Sequence, residues 1–316
     1  MRMKHNLFAQ RLLGMAFLAT SAVAAVDPSL VALAPPGTKA FVGIQVDQAQ
    51  SSALGRFLLS QADSGSGLDK FATLTGFDPR RDLSQILIAS TGQQDQPGAA
   101  LILGRGAFQP DKLTAAASLA GATKVTYSGI DMLTGKGNTK GGMQTLAFLN
   151  STTVLIGDTV GLKSAIDRYR SGTAFGGSLA QRASEVSSQY QAWFVAASVD
   201  ELANSFGGGA GGGIPANAFQ SILTAAGGLK LATDAVTVGL EAVTRTDKDA
   251  QSLVDVVKFL VSMVQSNGNN DPNAARAANL ANLASITATG PLMRISVAIP
   301  EKDVEQMLGS TRPGRK

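Results

Sequence analysis

The sequence predicts an α+β fold of two pseudo-repeated halves, with antiparallel sheets and helices packed on one face. An apolar, strand-like run that ends in Asp occurs twice, as Phe41–Asp47 and as Phe194–Asp200. Short runs of alternating apolar and polar residues, joined by turns rich in Gly and Asn, are typical of antiparallel hairpins. The order of strand-like and helix-like segments after the first run is largely repeated after the second. These observations favour a duplicated unit.

The chain divides into four predicted parts. They are a signal peptide (1–25), a first α+β half (26–173), a second α+β half (174–310) and a disordered tail (311–316). The length of 316 residues allows one large or two modest domains after the signal peptide.

The first 25 residues have the pattern of a secretory signal peptide. Their basic residues, with no acidic ones, are Arg2, Lys4 and Arg11. An apolar run over 12–26 follows, and Ala22-Val23-Ala24 offers small residues to a signal peptidase. We therefore expect cleavage near Ala24 or Ala25 and a periplasmic or extracellular protein. Because the run is shorter than the roughly 20 residues of a spanning helix, membrane contact is expected only if the segment is retained as an anchor.

In the first half, each element has a local signal. An apolar run predicts a strand over 40–46, and Asp47 could cap the helix that follows it. Leu68 to Thr75 reads as a helix ended by Gly76, and Leu83 to Ser90 as a strand. Strands over 99–103, 144–149 and 152–156 follow from their apolar content, with a hairpin turn at Ser128-Gly129. Helices are predicted after Pro110, which suits a first turn, and over 160–169, where apolar residues recur at helical spacing.

In the second half, the strand that contains Trp193 and Phe194 leads through Asp200 into a short helix. Residues 216–225 are predicted to be helical, and Gly227-Gly228 to precede strands over 229–233 and 236–243. Thr246 to Asp249 resembles a capping box at the start of the longest helix. The segment 266–282, rich in Asn, Ala and Gly, is predicted to be irregular. Paired strands over 285–289 and 292–299 and a helix after Pro300 complete the half.

The order of these segments resembles a group of exported bacterial proteins known only as a domain of unknown function. The matching places are Phe41–Asp47, Gly76 to Pro79 with Asp82-Leu83, Thr153 to Asp158, and Met293 to Ile299 with its following helix. The resemblance implies an exported α+β protein and transfers no catalytic residue.

Composition excludes several chemistries. The sequence has no Cys, and its one His is His5, inside the predicted signal peptide. The cleaved chain would therefore lack Ser-His-Asp and Cys-His catalysis and His/Cys metal sites. The signal peptide holds three of the 27 basic residues, so the remainder is nearly neutral against 23 acidic residues. With no basic cluster interleaved with aromatics, we expect no nucleic-acid partner.

The candidate site residues are few. Asp47 and Asp200 would form a carboxylate pair if the halves faced each other, although each could instead cap its own helix. Trp193, the only Trp, could anchor a ligand between the halves or simply belong to the core. The glycine-rich run 206–214 lacks the Lys-Ser/Thr end of a phosphate loop. The run 135–142 has two Lys that could attract an anion, although a mobile turn between hairpin strands is favoured. We predict no catalytic residue, cofactor or metal.

The predicted function is that of a non-enzymatic binding or assembly module of the cell envelope, with a protein or glycan of the envelope as its partner. The alternative is a carboxylate-dependent glycan hydrolase with its cleft between the two halves. The absence of the usual catalytic residue types favours the first interpretation.

Overall fold

The computed structural model describes residues 25–52, 54–57, 68–93, 96–136, 143–198, 220–232, 234–266 and 272–304. Five predicted features lie wholly or mostly outside these ranges: the signal peptide, the glycine-rich run 135–142, Asp200 with the helix after it, the glycine-rich run 206–214, and the tail over 311–316.

The described strands form one 12-stranded sheet, and every neighbouring pair is antiparallel. The strands are β1 (Ala40–Gln45), β2 (Leu83–Ser90), β3 (Ala100–Gly106), β4 (Thr123–Tyr127), β5 (Ile130–Lys136), β6 (Met143–Asn150), β7 (Thr153–Gly157), β8 (Ala192–Ala196), β9 (Ile222–Leu231), β10 (Ala235–Thr244), β11 (Ala284–Thr289) and β12 (Leu292–Pro300). Their spatial order is β11-β12-β10-β9-β8-β1-β2-β3-β7-β6-β5-β4. The predicted α+β class with antiparallel pairing is confirmed.

Helices cover both faces of the sheet. They are α1 (Pro28–Ala32), α2 (Val46–Ala49), α3 (Leu68–Thr75), α4 (Pro79–Asp82), α5 (Pro110–Leu119), α6 (Thr159–Ser171), α7 (Ser178–Ser187), α8 (Asp247–Ser266) and α9 (Pro272–Asn282). We call the face that carries Phe41 and Leu87 the front face, and the face that carries Ile102 and Val154 the back face. Because side chains alternate along a strand, central strands that are apolar on both faces need cover on both. The sequence predicted helices on one face, and the structure has them on both.

The front face holds the largest buried cluster. Phe41, Leu87, Leu103 and Leu155 of four adjacent strands are fully buried. They belong to one cluster with residues of α1, α6 and α7, namely Leu30, Val31, Leu162, Ala165, Ile166, Ala183 and Val186. Burial of this apolar area is the main force that holds these helices to the sheet.

The back face carries two smaller clusters. One lies under α5 and contains Phe77, Phe108, Leu113 and Val154. The other lies under α8 and contains Ile222, Ala225, Ala242, Leu253, Val254 and Met293. In the described part of the chain, no helix is both long and apolar enough to span a membrane.

The two predicted halves meet at the antiparallel pair of β1 and β8, where Gly43 lies opposite Trp193. Outward from this pair, the order is β1-β2-β3-β7-β6 on one side and β8-β9-β10-β12-β11 on the other. One sheet thus runs through both halves, and the front-face cluster takes residues from each, such as Phe41 and Ala226. Duplication and the boundary at 173/174 stay predictions.

Several local predictions are confirmed in detail. The turn Ser128-Gly129 has φ values of 49° and 74°, as a two-residue hairpin requires. At the start of α8, Thr246 Oγ1 accepts the backbone N–H of Asp249 at 3.1 Å. Asp47 departs from its predicted role, because Gln45 is the N-cap of α2 and Asp47 lies in the first turn.

The helix predicted over 216–225 is wrong where the structure describes it, because β9 spans Ile222–Leu231. Gly227 and Gly228 lie inside this strand rather than before it. A Cβ at Gly228 would come within 2.4 Å of the backbone oxygen of Ala192 and 2.6 Å of Tyr190. These glycines therefore allow neighbouring residues to pack closely against β9, whereas in the sequence they resemble the break between two elements.

Two of the described helices of ten or more residues were not predicted. Helix α9 occupies most of the segment expected to be irregular, since its alanines favour helix and Pro272 suits the first turn. Helix α7 precedes β8 and buries Ala183 and Val186. Its apolar stripe consists of small side chains among Ser and Gln, which weakens the periodic signal.

The first described residues are bonded to the fold. Val26 donates its backbone N–H to Ser187 Oγ at 2.8 Å, a buried bond. Asp27 accepts the backbone N–H of Ser29 at 2.8 Å and Arg105 Nε at 2.7 Å. Asp27 therefore caps α1 and joins it to β3.

We expect the contribution of Asp27 to stability to depend on pH. Burial acts to raise the pKa of Asp27, but hydrogen bonds from Arg105 and Ser29 outweigh it, so this pKa lies below the ordinary 3.8. A carboxyl whose pKa is lower in the folded state stabilises that state fully above its unfolded pKa, and this stabilisation is lost as the pH falls through the folded pKa. Urea denaturation should show Asp27→Asn less stable than the unmodified protein at pH about 7, with a smaller difference below pH about 4.

The control for this prediction is Asp255→Asn, which removes an exposed carboxylate from α8. It reports the general effect of losing one negative charge at each pH. A deficit of Asp27→Asn that is undiminished in acid would contradict the prediction.

Candidate ligand cavity on the back face

The sequence-predicted site residues do not form a described site. Asp47 is exposed in the first turn of α2, and its Oδ1 accepts the adjacent backbone N–H of Gln48 at 2.8 Å. Asp200 lies outside the described residues, so the carboxylate pair is not tested.

Trp193 is 2% exposed and belongs to the front-face cluster. Its ring lies against Gly43, where an added Cβ would come within 2.2 Å of Trp193 Cε2. Trp193 thus has a core position.

A cavity of about 530 Å³ lies on the back face between the sheet, α3 and α5. We call it the back-face cavity. Its floor is formed by alternate side chains of β2, β3, β5, β6 and β7, which are Ile86, Ile102, Leu133, Leu146, Phe148, Val154 and Ile156. The volume falls within the range of about 300–1,000 Å³ that is typical of small-molecule sites.

Small residues on α5 create much of this space. The helix begins at Pro110, and its inward face carries Leu113 followed by Ala116 and Ala117, with Ala120 just beyond its end. An alanine leaves the volume that a Leu or Phe would fill between helix and sheet. Gly104 in β3 also adds no side chain to the floor. The cavity therefore follows from side-chain size at a few positions.

Aromatic rings line one side of the cavity. Phe71 of α3 contacts Phe77 edge to face, with ring centroids 6.3 Å apart. Phe77 stacks on Phe108 at 5.2 Å, and Phe108 lies 5.5 Å from Phe148. Pairs at these distances stabilise each other by about 0.5–1.5 kcal/mol beyond area burial. This row of rings links α3 to the sheet.

The lining is apolar almost throughout. Thr75 is its one polar residue among those described, and no charged side chain lines it. The Thr75 hydroxyl donates to the backbone oxygen of Phe71 at 2.7 Å and accepts the N–H of Phe77 at 3.1 Å. Because these bonds already use the hydroxyl, the lining favours hydrocarbon over polar groups.

Apolar side chains are exposed where α3 borders the cavity. Leu74 is 82% exposed and Phe71 is 41% exposed, and both belong to the lining. An exposed Leu at the border of an apolar cavity provides surface that a ligand could cover.

A charged turn follows Phe77. Arg80 pairs with Asp78 at 2.9 Å and with Asp69 at 2.7 Å, and Arg81 pairs with Asp82 at 2.7 Å. The hydrogen bond from Arg80 lowers the pKa of Asp78, and the hydrogen bond from Arg81 lowers the pKa of Asp82. Carboxylates of this segment and of α3 thus pair with both arginines.

Chemically, the arrangement offers apolar contacts. Among the lining residues that the structure describes, there is no acid, base or nucleophile beyond the Thr75 hydroxyl. Among the residues that the structure describes, no group of three or more His, Cys, Asp or Glu side chains could hold a metal ion. What the cavity supplies is a concave apolar surface.

This cavity was not predicted from the sequence. The sequence predicts the helix after Pro110, but the prediction does not show that Ala116 and Ala117 on its inward face are too small to fill the space over the sheet. An Ala-rich helix opposite strands of Ile, Leu and Phe is the signal that could have shown it. That signal needs the knowledge that α5 lies over β3, β5, β6 and β7, which tertiary structure alone supplies.

The fold is similar to solved structures of a protein named TP0453. Crystal form III of TP0453 has a TM-score of 0.54 at 11% identity, covering 90% of this chain and 98% of that chain. Crystal form I has a TM-score of 0.53 at 12% identity, covering 91% and 98%. No family model and no curated protein matches the sequence. At such identity the likeness shows a shared α+β fold alone, so function must be argued from the site.

Proposed function

We propose that this protein is a non-enzymatic binding protein that holds the acyl chain of a lipid-like molecule in the back-face cavity. The observation that carries the proposal is the cavity of about 530 Å³ with an uncharged, almost wholly apolar lining. Each methylene moved from water into such a site contributes about 0.8 kcal/mol. A long hydrocarbon chain gains most from this environment, whereas a sugar or a peptide backbone would lose hydrogen bonds to water.

We also propose that the protein works in the cell envelope after export. The support is the pattern of residues 1–25, with its basic start, short apolar run and small-residue exit. An acyl-chain carrier or sensor is a specific form of the envelope binding module expected from sequence.

The glycan hydrolase alternative gains no support from the described residues. It needs two carboxyl groups about 5–10 Å apart in one cleft. No described lining residue of the back-face cavity carries a carboxyl group, and Asp47 is exposed on α2.

Filling the cavity should weaken ligand binding. We expect Ala116→Phe to weaken binding of the neutral fluorescent dye N-phenylnaphthylamine at least about tenfold, since the new ring would occupy the ligand's space. Titration of dye fluorescence measures the affinity. The matched control is Ala115→Phe, because Ala115 is an exposed neighbour on the same helix and is absent from the lining.

Thermal unfolding separates a filled cavity from a damaged fold. We expect Ala116→Phe to keep its melting temperature or raise it, as cavity filling often does. Equal dye binding by the Ala115 and Ala116 variants, or no binding by the unmodified protein, would refute the proposed function.

A further inference from the structure

A second, smaller cavity of about 110 Å³ adjoins the first. Thr75 and Phe77 belong to the walls of both. The remaining wall of the smaller cavity is more polar and includes Arg81, Asp82 and Gln109. A large apolar space and a small polar space that share two wall residues are suited to one molecule with an apolar chain and a polar head.

The charged residues of the smaller cavity limit which head groups it can bind. Arg81 holds Asp82 through two hydrogen bonds, Nε to Oδ1 at 2.7 Å and Nη2 to Oδ2 at 2.8 Å. This bidentate pair is the strong form of an arginine–carboxylate contact. An incoming carboxylate or phosphate would have to compete with Asp82 for Arg81 while facing the negative charge of Asp82 itself.

Uncharged hydrogen-bonding groups remain available. Gln109 is exposed, occupies the N-cap of α5 and makes no side-chain hydrogen bond to that helix. Its amide carries both donors and an acceptor. A head group with hydroxyls could bond to this amide without disturbing the Arg81–Asp82 pair.

We propose that the ligand is a single-chain amphiphile with an uncharged, hydroxyl-bearing head, of the monoacylglycerol or fatty-alcohol type. The acyl chain fills the back-face cavity, and the head lies in the smaller cavity beside Gln109. This inference rests on the proposed function and adds the charge of the head group to it.

The test compares monolaurin with laurate, which share a chain and differ in head charge. Each is titrated against the unmodified protein loaded with N-phenylnaphthylamine, at pH about 7, where laurate is ionised. We expect monolaurin to displace the dye at concentrations at least about tenfold lower. Laurate binding as tight as monolaurin binding would overturn the head-group inference, while failure of both to displace the dye would overturn the proposed function as well.

Two variants move the preference in opposite directions. Asp82→Asn frees the Arg81 guanidinium and should shift the affinity ratio toward laurate at least about tenfold. Arg81→Gln leaves the Asp82 charge unpaired and should shift the ratio further toward monolaurin. The remote variant Asp255→Asn should leave the ratio unchanged, since its carboxylate is on α8. An unchanged ratio in both Asp82→Asn and Arg81→Gln would contradict a head group at this place.

Discussion

The substitution Glu241→Ala is expected to lower the free energy of unfolding by about 3–5 kcal/mol. The side chain of Glu241 is fully buried within β10 on the front face. Its Oε2 pairs with Arg182 Nη2 of α7, and its Oε1 accepts Arg294 Nε of β12 at 2.8 Å. Removing the carboxylate leaves two guanidinium groups close together with no charge between them.

The size of this effect follows from burial rather than from the number of ion pairs. Arg182 is only 17% exposed, so water cannot replace the lost carboxylate easily. Its Nε is buried without a hydrogen-bond partner in the described part of the chain, and Glu185 supplies only one other contact, at 3.0 Å. A largely buried charge that loses its buried partner is costly even where the original pair added little net stability.

Urea denaturation followed by Trp193 fluorescence measures this prediction. The matched control is Asp131→Asn, which breaks the pair of Asp131 with Lys124 on the β4–β5 hairpin at 2.6 Å. Both of these side chains are exposed, so we expect a loss of no more than about 1 kcal/mol. A similar small loss for Glu241→Ala would show that the front-face charges are solvated, contrary to our reading of the structure.

The second large effect is expected at the centre of the sheet. Gly43→Ala should destabilise the protein by about 3 kcal/mol, at the upper end of the cost of overpacking. An added Cβ would lie 2.2–2.5 Å from three atoms of the Trp193 ring. The ring cannot retreat freely, because it is buried in the front-face cluster between strands and helices. Trp193→Ala alone should cost about 3–5 kcal/mol through lost packing.

A double-mutant cycle distinguishes this clash from a general intolerance of alanine in strands. In Gly43→Ala/Trp193→Ala the ring is absent, so the double variant should be more stable than the sum of the single losses predicts, by about 1–3 kcal/mol. Far-ultraviolet circular dichroism in urea follows unfolding, since Trp193 is changed. The control Gly135→Ala adds a Cβ in β5 that meets nothing within 4 Å. Strict additivity of the two losses would refute the proposed contact.

Local patterns predicted most of the elements. The hairpin turn at Ser128-Gly129, the helix end at Gly76 and the cap at Thr246 depend on residues within a few positions of one another, and each is confirmed. The prediction failed where contacts that are distant in sequence decide the residue type. Gly227 resembles a chain break in the sequence, but it lies inside β9. A glycine is required there because an added Cβ would come within 2.4 Å of the backbone oxygen of Gly239.

The candidate site was not predictable in the same way. The sequence offers Asp47 as half of a carboxylate pair with Asp200 and Trp193 as an anchor between the halves. The structure places Asp47, exposed, in the first turn of α2 and Trp193 in the core. The cavity is formed instead by ordinary apolar residues such as Ala116 of α5 and Val154 of β7. Nothing in their local sequence distinguishes a lining residue from a core residue, because the difference is the volume left between two elements.

The sequence by itself determined the antiparallel α+β class, because alternation and turn residues are properties of short segments, and it showed that the chain has no Cys. Tertiary structure decided three further matters: that helices cover both faces, that Glu241 meets Arg182 across 59 positions, and that α3 and α5 leave a cavity over the sheet. Each depends on which surfaces meet after the chain has folded and on how well their side chains fill the space between them.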